Sequence, residues 1–129
     1  MPDVRVHAVT TWRVPIAITA PLNMNARDHW AVKASKVRTI RESVAWMCRA
    51  SRVPASSHVW VTLYYVPKVQ RRRDADNLVA TLKPACDGIV DAGVVEDDTP
   101  EFMTKAMPVV LDPDAACKQR VYLTISDHP

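Results

Sequence analysis

Apolar residues change their spacing along the chain, and the changes mark out its elements. Val4 to Val14 is rich in β-formers, and VPIAITAPLN, interrupted by Pro15 and Pro21, reads as a second strand or an edge segment. It runs into a loop carrying Asn23, Asn25 and Arg27. From about Asp28 to Arg49 the spacing becomes helical: Trp30, Val37, Ile40, Val44, Met47 and Cys48 recur three, four or seven apart, with Asp28 near a plausible N-cap. SRVPASS ends that helix, and HVWVTLYYV, dense in β-branched and aromatic residues, predicts a well-buried strand. Beyond the polar run PKVQRRRDADN, Leu78 to Ala92 predicts a second helix and Asp97 to Pro100 a turn. Phe102 to Leu111 and Gln119 to Ser126 read as two closing strands placed to pair with one another. The order β(β)αβαββ, without internal repeat, predicts an α+β fold: one small domain over residues 1–129, a mixed sheet packed with two main helices.

Length sets the scale of that domain, since 129 residues bury one core but hardly two. No apolar run is long enough to span a bilayer, and MPDVRVHAV lacks the basic-then-apolar order of a signal peptide. The expectation is a cytoplasmic protein with no membrane partner. Cys48, Cys86 and Cys117 are odd in number and widely spaced, without a C-x-x-C pair, so they are expected to be reduced and mostly packed.

Charge divides the chain in two. Residues 1–73 hold 13 Lys and Arg against 3 acids, and residues 74–129 hold 4 against 11, so the halves carry +10 and −7. A polyanion would be drawn to the first half and repelled by the second unless cations intervened, which is the balance a metal-using nuclease needs. Mutual neutralisation of the halves within the fold is an equally open explanation.

The stretch Arg71 to Asp98, RRRDADNLVATLKPACDGIVDAGVVEDD, holds the candidate chemistry. In an extended segment residues i and i+2 point the same way, so Asp74 and Asp76 would present two carboxylates to one point at a strand end. Magnesium takes oxygen ligands and keeps several waters, so a third carboxylate, from Asp97 or Asp98, would suffice. At about 100° per residue, Asp76, Lys83 and Asp87 share a narrow arc of one helix face, which would turn Lys83 toward the metal. Pro84 opposes that geometry, and the expectation it raises is a helix starting or restarting near Pro84. D-x-D-N is also common in turns and caps, and Asp97 and Asp98 would serve equally as a solvated bend. An EF-hand is excluded, because counting from Asp74 puts Val79 where its loop needs glycine and Ala85 where it needs glutamate.

Arg71, Arg72 and Arg73 abut this stretch and would supply phosphate-binding forks, or simply a solvated charge run. On the first predicted helix Arg38, Glu42 and Arg49 take the polar side, whereas Lys33 and Arg41 fall within or beside the apolar stripe, where they either snorkel or contact DNA. His7, His29, His58 and His128 show no ligand spacing.

Taken together, Asp74, Asp76 and Asn77, then Lys83, Asp87 and the Asp97-Asp98 pair, resemble the RusA family of Holliday junction resolvases, chiefly phage and prophage enzymes. PLNMNARDHW resembles that family's N-terminal Pro/Asn substrate loop, and the resemblance runs from about Pro21 to the final strand. It implies a homodimeric, magnesium-dependent endonuclease, with manganese a possible substitute and no small-molecule cofactor. Such an enzyme binds four-way DNA junctions in a bacterial host cell and nicks two strands symmetrically, in recombination and repair. Carried over by residue, the resemblance makes Asp74, Asp76 and Asp98 metal ligands, with Asp97 as fallback, and Lys83 an aid at the phosphate. Asn25, Arg27, Lys33, Lys36, Arg71, Arg72 and Arg73 are the candidate DNA contacts. The chain departs from the shorter family pattern by about three extra residues between Asn77 and Lys83 and by carrying Pro84. A catalytically silent nucleic-acid-binding module, a flap or branched-DNA nuclease with the same metal chemistry, and a structural phage protein remain the alternatives.

Overall fold

In the computed structural model, which describes residues 10–23, 30–69, 71 and 74–129, the chain runs β1 (Thr11–Pro15), α1 (Trp30–Ala50), β2 (Val59–Tyr65), α2 (Asp74–Asp91), β3 (Met103–Lys105), β4 (Val109–Val110) and β5 (Val121–Ser126). Five strands form one mixed sheet in the order β1-β5-β2-β3, with β4 also on β2. β5 is antiparallel to both β1 and β2, whereas β3 and β4 run parallel to β2, at its start and at its end. This is the α+β domain with a mixed sheet and two helices that the apolar spacing predicts.

The alternation in HVWVTLYYV sorts β2 into two faces. Val59, Val61, Leu63 and Tyr65 are buried, and with Val121, Leu123 and Ile125 of β5 and Val14 of β1 they form the sheet's side of the core. Ile40, Val44 and Cys48 of α1 and Leu78, Ala85, Cys86 and Ile89 of α2 form the other side. On the opposite face Tyr64 stacks on Tyr122 at 5.0 Å, and the Arg13 guanidinium lies 3.9 Å over the Tyr122 ring. The two helices cross where Gly88 meets α1. A Cβ at position 88 would stand 2.5 Å from the Arg41 carbonyl oxygen and 2.8 Å from Val44 Cβ, so hydrogen is the only side chain this approach admits.

Several elements differ from their sequence expectation. VPIAITAPLN forms no second strand within its described part: β1 ends at Pro15, and Ile18 N–H turns back to the Ile16 carbonyl at 2.8 Å. α2 begins at Asp74, four residues before Leu78, because acidic side chains suit the exposed N–H groups of a helix's first turn. It also passes through Pro84, so the predicted start or restart there is corrected; the proline is buried in the helix. Phe102 to Leu111 is two short strands separated by Ala106-Met107-Pro108, and they pair with β2 instead of with β5. Trp30 and Val37, assigned to the apolar stripe of α1, are 75% and 38% exposed, so its core face is the narrower set Ile40, Val44, Ala45 and Cys48. Asp28, the expected N-cap, lies outside the described residues, as do residues 4–9 of the first expected β-rich stretch.

Candidate functional site

α2 and the turn that follows it bring the motif residues to one side of the fold. Asp74 opens the helix and is 8% exposed, and its carboxylate folds back to accept the Arg71 backbone N–H at 3.1 Å. Asp76 stands two residues on and is exposed. Because both lie in helix, about 200° of rotation separates their side chains, so the shared direction expected of an extended segment is corrected. Asp97, also exposed, uses Oδ1 to accept the Asp98 backbone N–H at 2.8 Å, which fixes the bend presenting Asp98.

Asp98 is the centre of the cluster. Its side chain is 12% exposed, and Oδ2 accepts from Lys83 Nζ at 2.7 Å and from Lys105 Nζ at 3.1 Å. Lys83 also reaches Asp87 Oδ1, one helical turn on, at 3.1 Å. The hydrogen bond from Lys83, reinforced by Lys105, holds the Asp98 carboxyl down to about 2 against the opposing effect of burial. The hydrogen bond to Asp98 first, and that to Asp87 second, push the Lys83 ammonium above the usual lysine range. Beneath them Cys86 is fully buried, and burial pushes its thiol up to about 12.

A second group gathers where β2 ends. The Tyr65 hydroxyl is pushed up by burial first and by Asp74 second, while Arg120 and Arg71 act in the opposite sense, which places all four within electrostatic reach. Arg120 is 5% exposed and donates to the Val66 and Ala115 carbonyls at 2.9 and 3.0 Å, tying the loop before β5 to the end of β2. The described part of the Pro/Asn loop is tied to α2: Leu22 N–H donates to Thr81 Oγ1 at 2.8 Å, and that hydroxyl donates to the Asn77 carbonyl at 2.8 Å. Between this segment and α1 lies a groove of about 1090 Å³, with Ile16, Ile18 and Met47 among its apolar lining, Lys36 and Lys118 among its polar lining and no carboxylate among its described residues.

Lys33 and Lys36 stand on the first three turns of α1, where every residue from Trp30 to Thr39 is exposed and none is acidic. Arg41, left open between snorkelling and DNA contact, is committed to a partner within the fold. It forms a two-point ion pair with Asp91 of α2, Nη2 to Oδ1 being 2.8 Å, and holds the Asp91 carboxyl below its usual range. Arg71 is exposed; Asn25, Arg27, Arg72 and Arg73 lie outside the described residues.

Among the described residues no three carboxylate, imidazole or thiol groups come together to hold a metal. The carboxylates that do converge on one cation are Asp87 and Asp98, around Lys83 Nζ. Magnesium needs only one or two carboxylates when water and phosphate complete its octahedron, so this oxygen donor set fits a hard divalent ion that takes the place of an ammonium. Asp74 and Asp76 stand about two helical turns nearer the start of α2 than Lys83. Sequence reasoning missed Lys105 and Arg120 as members of these clusters. For Lys105 a signal existed, a lone charge inside the apolar stretch FMTKAMPVV, which calls for an acidic partner.

No known family profile matches the chain. An uncharacterized protein of Xylella fastidiosa (strain Temecula1 / ATCC 700964) is 30% identical over 83 residues, 59% of this chain and 53% of that protein. The chain thus spans about half the length of this relative. Among the described residues no helix is long and apolar enough to cross a membrane.

Proposed function

We propose that this chain is a magnesium-dependent endonuclease of branched DNA, acting as a homodimer that nicks two opposed strands of a four-way junction. The observation that carries the reading is the 2.7 Å contact between Lys83 of α2 and Asp98 of the following turn, which joins Lys83 and Asp87 of the motif to its later acidic turn. The ion would supply Lewis-acid polarisation of the scissile phosphate and a water of lowered pKa. Asp98, with Asp87 beside it, would hold that ion at the described cluster, and Asp74 and Asp76 are its further candidate ligands through the family resemblance. Lys83, freed from Asp98, would neutralise a phosphate oxygen. Lys33 and Lys36 on the exposed start of α1, with Arg71 near α2, would hold the DNA backbone and fix its register without reading sequence. A dimer follows from the substrate, because two symmetric cuts need two sites related by a two-fold axis. The resemblance would make it an enzyme of the bacterial cytoplasm, encoded by phage or prophage.

One observation favours a second reading, the silent nucleic-acid-binding module: Asp98 Oδ2 already holds two ammonium groups. Cleavage of a synthetic four-way junction beside duplex, flap and single-strand substrates, in magnesium or EDTA, with wild type and Asp98→Asn, separates the cases. Paired nicks confined to the junction, dependent on magnesium and lost in the variant, are expected. Equal cutting of flaps would make it a general branched-DNA nuclease, and binding without cleavage would favour the silent module.

A further inference from the structure

Two lysines from different elements meet one oxygen of a largely enclosed carboxylate. Lys83 arrives from α2 and Lys105 from the edge strand β3, at 2.7 and 3.1 Å from Asp98 Oδ2. Together they bring two positive charges to one anionic centre, the charge of a divalent ion, by means of flexible four-carbon stems. The Lys83 side chain is 65% exposed and can swing into water, whereas Lys105, 31% exposed, has less room. We propose that Lys83 and Lys105 are resident counter-cations of Asp98 that a divalent metal displaces, and that Lys105 is therefore a positioning residue of the same site as Lys83.

The inference rests on the metal-dependent reading above and extends it. Without metal, the two ammonium groups neutralise Asp98 and keep it from repelling Asp87. When an ion takes the carboxylate oxygen, both ammonium groups lose Asp98 as acceptor, Lys83 keeping Asp87, and carry their charge toward whatever anion lies outside. A phosphodiester is the anion that the basic first half of the chain would bring there. Metal and lysines compete for one oxygen, so removing a lysine strengthens metal binding, the reverse of what removing a ligand does.

The test is calorimetric titration of the full chain with calcium, a hard divalent ion, in the absence of DNA. Wild type, Lys105→Met, Lys83→Met and Asp98→Asn are compared, with the thermal melt of each as a check on folding. Lys105→Met and Lys83→Met are each expected to bind calcium about fivefold more tightly or better, and Asp98→Asn to lose the binding. In wild type, the ammonium resonance of Lys105, protected from exchange by its hydrogen bond to Asp98, is expected to lose that protection as calcium is added, and that of Lys83, which keeps Asp87, to have it reduced. Unchanged or weaker binding in both lysine variants, with wild type still binding calcium, would overturn the displacement while leaving the metal reading intact. Calcium binding in none of the four proteins would overturn both. Tighter binding with the ammonium protection unaltered would show a long-range charge effect and overturn the displacement alone.

Discussion

Lys83 and Asp98 lie 15 residues apart in sequence and meet at 2.7 Å, which fastens the turn after α2 to the middle of that helix. Because the Asp98 carboxyl is held down to about 2, the ion pair stabilises the fold fully above the ordinary carboxylate range and loses its contribution as pH falls from about 4 through 2. In urea denaturation at a series of pH values, Asp98→Asn should be less stable than wild type by about 1 kcal/mol at pH 5 to 7, allowing for the exposure of Lys83. The gap should close between pH 4 and 2. A constant gap down to pH 2 would remove the ion pair as its cause.

Gly88→Ala tests the helix crossing. The added methyl group meets the Arg41 backbone oxygen and Val44 Cβ, so the helices must separate, at a cost of about 2 to 3 kcal/mol. Chemical denaturation of the two single variants and of Gly88→Ala/Val44→Ala should show a combined loss smaller than the sum, since truncating Val44 removes its Cγ1, 3.1 Å from the added methyl, while its Cβ and the Arg41 oxygen remain.

Both helices end in the same backbone motif with different residues. Val53 N–H reaches back to the Cys48 carbonyl across Arg52, and Val94 N–H to the Ile89 carbonyl across Gly93; φ is +56° at Arg52 and +80° at Gly93. Arg52→Gly should raise stability by about 1 kcal/mol and Gly93→Ala lower it by about 1, because nothing lies within 4 Å of a Cβ at 93 and the cost there is conformational alone. Thermal melts moving in opposite directions would bear this out.

The thiols differ in accessibility. Cys48 and Cys86 are buried, and burial pushes both up to about 12, whereas Cys117 is half-buried. A thiol reagent at pH 8 should therefore modify Cys117 promptly and the other two only after denaturation. Rapid native labelling at Cys86 would mean that the helix over it opens.

If DNA lies along the start of α1, Lys33→Gln and Lys36→Gln should each weaken binding to all sequences alike. Each lost phosphate contact should also flatten the slope of log K against log salt by about 0.9. Unchanged slopes, measured by fluorescence anisotropy, would take the DNA off this helix.

Local pattern carried much of the architecture. The strict alternation of HVWVTLYYV gave β2 and its buried face, and the helical spacing from Ile40 to Cys48 gave the core side of α1. The start of α2 was hidden because Asp-Ala-Asp-Asn suits a turn as well as a first helical turn, and the two give opposite geometry to Asp74 and Asp76. Pairing was hidden as well: nothing near Gln119 to Ser126 says that this strand will insert between β1 and β2, a choice made by residues more than 50 positions away. At the candidate site, Lys83 and Asp87 stood out through their spacing, and Asp98 through the family resemblance. Lys105, a lone charge in an apolar stretch, had no identifiable partner until β3 brought it to Asp98, and Arg120 came into view only through its bonds to loop carbonyls.

The flanks of the sheet bear on how copies of this chain can associate. One outer strand, β1, ends in a proline, and the opposite flank is built from two short pieces, β3 and β4, interrupted by Ala106-Met107-Pro108, with Met107 77% exposed. Proline offers no N–H to an incoming strand, and a ladder broken every two or three residues is a poor template for another. Joining sheets edge to edge, the usual route to fibrils and swapped strands, is thus disfavoured along the β3–β4 flank and at the Pro15 end of β1.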